Sequence, residues 1–395
     1  MAIAAPAGRP EPRRPGIWTF ATLDALDSMS RASLVTLVPL EALAAFRDAR
    51  DVSLVFTIAG VAGLIAMFAI PALMRLLSRR IVYSLGPALV LCAVAGFATA
   101  TQVGVGAGIF LRSFATSCVV IGANLYVLDY IHKRDFVRLE PIRIMAIGIP
   151  WGVGPYLGVW LHERVDPLAA YGFAGAMALL VLAYFWILRM REGPAAATLR
   201  RPRTPWATIR RFLAQPRLVL AWSITFGRSS WWAMFFIYVP LYMVEAGQGE
   251  LAGALMISGV NFLLLIAPAF GWLARRHGLR RVFAIAFLSC AAGTVLAGLL
   301  ADMPMVAAGL IVAASIGPIC LDGLASVLFY RSVRSWERAE MMTVYNSWRD
   351  LSQLCTPALC AVVLTVGPLS WVFLAMGIAM FAFAYLAWRY IPRRM

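Results

Sequence analysis

The stretch Asp24-Ala25-Leu26-Asp27-Ser28-Met29-Ser30-Arg31 lies inside an otherwise apolar run from Ile17 to Phe46. That run is long enough to cross a bilayer, which takes about 20 residues. Three ionisable side chains therefore sit at or near membrane depth. Their spacing of i, i+3, i+7 places them on one helical face. A charge in the hydrocarbon region costs about 3 kcal/mol or more, so it normally faces a bundle interior or a wet cavity. The rest of the chain reads as the scaffold of such a cavity.

The composition agrees. Hydrophobic residues make up 62% of 395 and charged residues 14%, against about 45–50% and 25% in soluble domains. Residues 1–16 carry Arg9, Arg13 and Arg14 but no short apolar core ending in a cleavage site, so the first apolar run reads as a retained span. Six cysteines fall in apolar segments without a C-x-x-C pair, and no His/Cys/carboxylate cluster has metal spacing. Met234, Met243 and Met256 form no Met-x-x-x-Met pair and read as packing. No cofactor or metal is expected.

Twelve apolar segments follow, at about 17–46, 52–74, 81–101, 105–131, 143–161, 168–188, 217–244, 252–274, 282–301, 304–330, 342–366 and 368–391. The chain divides into a tail 1–16, a six-helix bundle 17–188, a basic linker 189–216, a second six-helix bundle 217–391 and a tail 392–395. Of 35 basic residues, 28 fall on the side of the linker and both tails, three in the alternate loops (Arg47, Arg50, Arg164) and four in spans (Arg31, Arg112, Arg228, Arg349). The positive-inside rule then places both termini in the cytoplasm. The expected site is the plasma membrane, the inner membrane of a bacterium. The same split accounts for the net charge of +16 without nucleic acid as a partner. A polybasic face of this kind can also meet anionic lipid headgroups.

The two halves repeat. Ala69-Ile70-Pro71-Ala72 with Arg79 matches Ile266-Ala267-Pro268-Ala269 with Arg276 at an offset of 197. Val127, Leu128, Tyr130, Arg134, Arg138 and Glu140 recur as Val327, Leu328, Tyr330, Arg334, Arg338 and Glu340 at an offset of 200. Arg31 precedes Arg228 by 197. Both halves share one orientation, so the repeat is parallel.

Twelve spans in two parallel halves with a basic linker resemble the major facilitator superfamily. Gly271-Trp272-Leu273-Ala274-Arg275-Arg276-His277-Gly278-Leu279-Arg280-Arg281 resembles that family's basic loop between its second and third spans, repeated in the second half. The first-half version, Met74-Arg75-Leu76-Leu77-Ser78-Arg79-Arg80, lacks the family's usual Gly and Asp. Gly154-Pro155-Tyr156-Leu157-Gly158 resembles the core of a Gly-Pro motif of its proton-driven exporters, with Val159 where the motif has its second Gly. The resemblance implies an all-α integral membrane protein that works by alternating access of two bundles. It names no substrate.

Candidate residues follow from depth and chemistry. Asp27 and Arg31 read as a buried pair that opens on protonation or substrate binding, or as a structural pair; Asp24 reads as a further coupling group or as a headgroup-zone acid. Arg228 and Trp232 read as cavity lining, with a planar donor fork suited to carboxylate or phosphate. The alternative is an Arg228–Asp pair with the Trp231–Trp232 pair facing lipid. Asn346, Arg349, Asp350 and Gln353 share one face of a helix at i, i+3, i+4, i+7. Asp322 reads as a coupling acid, as a partner of Arg349, or as a structural partner. Arg134, Arg138 and Glu140 with Arg334, Arg338 and Glu340 read as paired latches on the cytoplasmic side. Arg112 is expected to snorkel to the interface, and Asp129 to join Lys133 in a cytoplasmic network.

The function expected is secondary active transport of a small organic solute, leaning anionic or zwitterionic, coupled to protons, with direction open and a slight lean to export. Lipophilic or cationic drug-like substrates, and a non-transporting receptor or assembly factor on the same fold, stay open. No nucleophile–base pair, P-loop or metal motif points to an enzyme. The partners expected are the solute, protons and membrane lipid, with a monomer as the working unit.

Overall fold

A computed structural model describes residues 15–131, 136–188, 205–334 and 337–392. Those residues form helices and no strand. In the first half, the helices are α1 (Ile17–Ser33), α2 (Leu37–Phe46), α3 (Ala49–Leu76), α4 (Arg79–Ala98), α5 (Gln102–Tyr130), α6 (Phe136–Arg164) and α7 (Pro167–Ile187). A short helix α8 (Pro205–Leu213) precedes the second half. That half holds α9 (Pro216–Glu245), α10 (Glu250–Leu263), α11 (Ala267–His277), α12 (Leu279–Leu299), α13 (Pro304–Ser332), α14 (Arg338–Tyr345), α15 (Trp348–Val363) and α16 (Ser370–Tyr390).

Helix starts follow local chemistry. Asp48, Thr101 and Asp166 each accept a backbone N–H of the helix that follows, at 2.8, 3.1 and 2.7 Å, satisfying donors that have no intrahelical partner. Among the described residues, eight segments are long and apolar enough to cross a membrane: Ile17–Phe46, Ala49–Ala66, Arg79–Ala98, Gln102–Val127, Pro167–Ile187, Leu279–Leu299, Pro304–Ser332 and Ser370–Tyr390. The four other segments expected from the sequence are helical too, in α6, α9, α10–α11 and α14–α15. Large apolar side chains such as Ile58, Ile65, Leu179, Ile285 and Ile378 are exposed on the outer surface, as a lipid-facing surface requires.

Three segments expected to be continuous are broken. The first span is interrupted between α1 and α2, because Pro39 has no N–H for the Val35 carbonyl and its ring crowds that oxygen. A 3-10 turn at Leu264–Ile266 separates α10 from α11, where Pro268 likewise cannot donate to Leu264. The third break, at Asn346–Ser347, has no proline. There the Ser347 hydroxyl donates to the Val344 carbonyl at 2.7 Å, and Trp222 Nε1 donates to that hydroxyl at 3.2 Å.

The halves meet through α3 on α15, α6 on α10 and α2 on α9. A Cβ on Gly60 would stand 2.7 Å from Leu354 Cα, so α3 and α15 touch backbone to backbone. The Ser53 and Tyr238 hydroxyls bond at 2.6 Å, and the Tyr156 N–H donates to Ser258 Oγ at 3.0 Å. These contacts lie between mid-depth and the face where α2 and α6 end and α10 begins.

Candidate functional site

Asp27 is buried on α1 and pairs with Arg31 one turn on, Arg31 Nη2 to Asp27 Oδ2 at 2.6 Å. The pair is not alone. Arg112 on α5 donates from Nη2 to the Arg31 carbonyl at 3.2 Å. Its guanidinium thus turns inward rather than snorkelling, because the last turn of α1 supplies an acceptor that lipid lacks. Asp24 is held by a different helix: Arg143 Nε on α6 meets its Oδ2 at 2.5 Å. Asp129 pairs with Arg79 at the start of α4, at 2.6 Å, with both side chains buried. Lys133, to which Asp129 was expected to tie, lies outside the described residues.

In the second half Arg228 on α9 pairs with Asp322 on α13, and Trp232 Nε1 donates to the other carboxylate oxygen at 2.8 Å. The Arg228 guanidinium lies 4.8 Å over the Trp348 ring. Trp231 is fully buried and donates to Thr294 Oγ1 at 3.0 Å, and Trp232 is half-buried, stacked on Phe236 at 5.5 Å. The Trp pair is therefore interior packing, not lipid-facing. Asp322 serves Arg228, not Arg349.

The polar face of span 11 is divided by the break at Asn346–Ser347. Asn346 closes α14, while Arg349, Asp350 and Gln353 ride on α15. Asn346, Arg349 and Gln353 are exposed and Asp350 is half-buried. Arg349 is within electrostatic reach of Arg31, Asp27, Asp350 and Arg228, so α1, α9 and α15 bring their charges to one region. Asp27 feels Arg349 from the other half, and Arg112 feels Arg31. Among the described residues Arg349 has neither a carboxylate within 4.0 Å nor a side-chain hydrogen bond, although Arg31 and Arg228 each have a paired carboxylate.

The region thus gathers four arginines (31, 112, 228, 349) and three aspartates (27, 322, 350). Its buried atoms without a hydrogen-bond partner include Nε of Arg31, Arg112 and Arg228 and the indole Nε1 of Trp348. All four can only donate. An acceptor-rich group would satisfy them.

Of the expected latches, Arg134 lies outside the described residues. Arg138 and Glu140 fall on α6, and Arg338 and Glu340 on α14, with side chains outside the described set. Arg334 is exposed. A neighbour not singled out in the sequence, Glu337, is buried and holds the helix before the second half, accepting from Arg211 at 2.5 Å and Gln215 Nε2 at 3.2 Å.

A second missed cluster sits where the halves touch. His162, one residue beyond the expected span 143–161, bonds Glu41 Oε1 on α2 through Nε2 at 2.9 Å. Its Nδ1 lies 3.8 Å from Glu250 Oε2 at the start of α10. The Tyr171 ring of α7 stands edge-on to it, centroids 6.1 Å apart. The bond to Glu41 raises the His162 pKa above its ordinary value, against the opposing effect of burial, with further help from Glu250 and Glu163. Only the pairing of distant helices joins these residues, so no sequence spacing signals them.

Two helical halves around a cluster of charges at membrane depth define a membrane transporter fold. The chain belongs to the Major Facilitator Superfamily, whose family profile matches residues 21–266 and 251–395. No curated protein sequence matches it. Among solved structures it is similar to the nucleoside transporter NupG, with 13% identity, a TM-score of 0.74, and coverage of 95% of this chain and 99% of that one. It is similar to a POT family transporter in complex with 5-aminolevulinic acid at 12% identity and TM-score 0.75, covering 94% and 96%. It is also similar to the human organic anion transporter MFSD10 at 17% identity and TM-score 0.64, covering 96% and 100%. At these identities the likeness is one of fold.

Proposed function

We propose that the chain is a secondary active transporter that moves a small organic anion or zwitterion across the membrane by alternating access, coupled to protons. The observation that carries this reading is Arg349: an exposed guanidinium on α15 with no carboxylate within 4.0 Å among the described residues. Arg31 and Arg228 are neutralised by Asp27 and Asp322, which leaves the surplus positive charge on Arg349 and Arg112. A carboxylate or phosphate fits a planar donor fork. Asn346 and Trp232 belong to the same lining. Asp27, Asp322 and Asp350 are the protonatable members, and Asp24 serves as a structural partner of Arg143. Protonating Asp27 or Asp322 would free its arginine for the substrate, linking the proton to the load. Arg138, Glu140, Arg338 and Glu340 sit on helices that reach the cytoplasmic side, where gating is assigned to them with Arg134 and Arg334. The partial Gly-Pro motif leans the direction toward export.

The test is a thermal-shift screen of the detergent-purified protein against pooled organic anions, zwitterions and lipophilic cations, since a ligand that binds the folded state stabilises it by mass action. The expected result is stabilisation by an anion, lost in Arg349→Ala, followed by flux of that anion in proteoliposomes under a pH gradient. Stabilisation by lipophilic cations alone would overturn the anion reading. Binding without flux would overturn transport.

A further inference from the structure

A second site lies in the second half, lined by none of the paired central charges. A groove of about 290 Å³ runs between α11, α12 and α13. Its floor is made of small residues: Ala286 and Ser289 on α12, Gly317 and Cys320 on α13. Gly317 lets α13 press against α12, since a Cβ there would stand 2.2 Å from the Ala286 carbonyl oxygen. The Ser289 hydroxyl is already spent on the Ala286 carbonyl at 3.1 Å, so the floor asks for no polar partner. Phe270 and Leu273 wall one side, and Ile285 and Ile316, both exposed, stand at the rim. From Arg281 to Ser289 the groove follows α12 for about 12 Å at the helical rise per residue.

One end of this apolar groove is cationic. Arg281 and His277 line it, and both are exposed. Among the described residues Arg281 has no carboxylate and no hydrogen-bond partner. His277 uses only Nδ1, 3.4 Å from the Leu273 carbonyl. No acidic residue occurs anywhere from 251 to 301, a stretch that carries four arginines. Two tryptophans mark the depth: Arg276 lies over Trp272 at 5.5 Å and Arg280 over Trp388 at 4.7 Å. Tryptophan with arginine is the side-chain pairing of the membrane–water interface. The cationic end is therefore level with lipid headgroups and the apolar part with acyl chains.

We propose that this groove is a binding site for one anionic phospholipid, with an acyl chain along Ala286, Ser289 and Gly317 and the headgroup phosphate on Arg281 and His277. Charge complementarity and depth choose the occupant: a zwitterionic lipid would bring a cationic group to an end that holds only cations.

The experiment uses the full chain, purified and delipidated in detergent, then mixed with phosphatidylglycerol or phosphatidylcholine of the same chains and read by native mass spectrometry. The expected result is one retained phosphatidylglycerol per protein, with at least a several-fold preference over phosphatidylcholine. The Arg281→Ala/His277→Ala double variant should lose the preference. Ser289→Phe, which fills the floor, should lose retention of both lipids. Arg275→Ala removes an exposed charge whose side chain does not line the groove, and should keep the preference. Equal retention of both lipids by the native protein, an unchanged preference in the double variant, or an equal loss in Arg275→Ala would each overturn the proposal. Melting temperatures of all variants near that of the native protein show that they fold.

Discussion

Gly158 on α6 meets Ser33 on α1 backbone to backbone: a Cβ on the glycine would stand 1.9 Å from the Ser33 carbonyl oxygen. One turn earlier, a Cβ on Gly154 would stand 2.7 Å from that of Ala32. The glycine pair at i, i+4 is what lets α6 lie on α1 beside the break at Leu34–Thr36, in the manner of small-residue helix packing in membranes. Gly158→Ala should therefore cost about 1–3 kcal/mol, the usual penalty of overpacking, because no side chain can move aside. A melting temperature several degrees below native in detergent is the expected reading. Gly172→Ala, where no atom lies within 4 Å of the added methyl, is the matched neutral change.

Arg228 and Asp322 bind each other within the second half, with side chains 11% and 27% exposed. Asp322→Asn leaves a guanidinium without its counter-charge, which costs about 3–5 kcal/mol in buried pairs. Removing both charges should recover most of that loss. Denaturation of the two single variants and the double variant checks this; a single variant as stable as the native protein would refute the pairing.

His162 predicts a pH dependence of stability at the place where the halves touch. It faces Glu41 from α2, Glu250 from α10, Glu163 on its own helix and Tyr171 from α7. Its pKa is raised in the folded protein. The stabilisation is thus fully present below the ordinary histidine pKa of about 6.5 and is lost as the pH rises through the raised value. Melting curves from pH 5.5 to 9, with His162→Gln alongside, read this out: the native midpoint should fall across neutral to mildly alkaline pH relative to the variant.

Gly60→Ala should bias the molecule toward separation of its halves. The added methyl would lie 2.7 Å from Leu354 Cα, a backbone atom that cannot rotate away. Spin labels at Arg50→Cys and Gln248→Cys, both exposed near the closed face, should report longer distances in the variant than in the native background. Identical distance distributions would count against the contact as a determinant of closure.

Much of this arrangement was legible in the chain. The charges 24, 27 and 31 on one apolar helix pointed inward, and the recurrence of Arg31 at Arg228 placed a cation in each half. The cross-helix partners were not legible, because residue spacing fixes which side chains share a face but not which helix faces them. Arg143 for Asp24, Arg79 for Asp129 and Arg112 for the Arg31 carbonyl all come from contacts between α1, α4, α5 and α6. Two of the three helix breaks follow from Pro39 and Pro268, so a stricter reading of proline and its fourth preceding carbonyl would have located them. The third, at Ser347, depends on an indole donated from α9 and has no local signal.

The ion pairs have a consequence for motion. Asp27–Arg31, Asp24–Arg143 and Arg79–Asp129 are each internal to the first half, and Arg228–Asp322 to the second. Sliding or tilting one half against the other leaves all four intact, so no charge is stripped of its counter-charge in a low-dielectric setting. The boundary between the halves is sealed chiefly by glycines, hydroxyls and aromatic rings, whose separation water can follow at small cost. Among the described residues, His162 with Glu250 is a charged contact that crosses it on the face where α10 begins, which makes the acidity of the surroundings there an adjustable fastening.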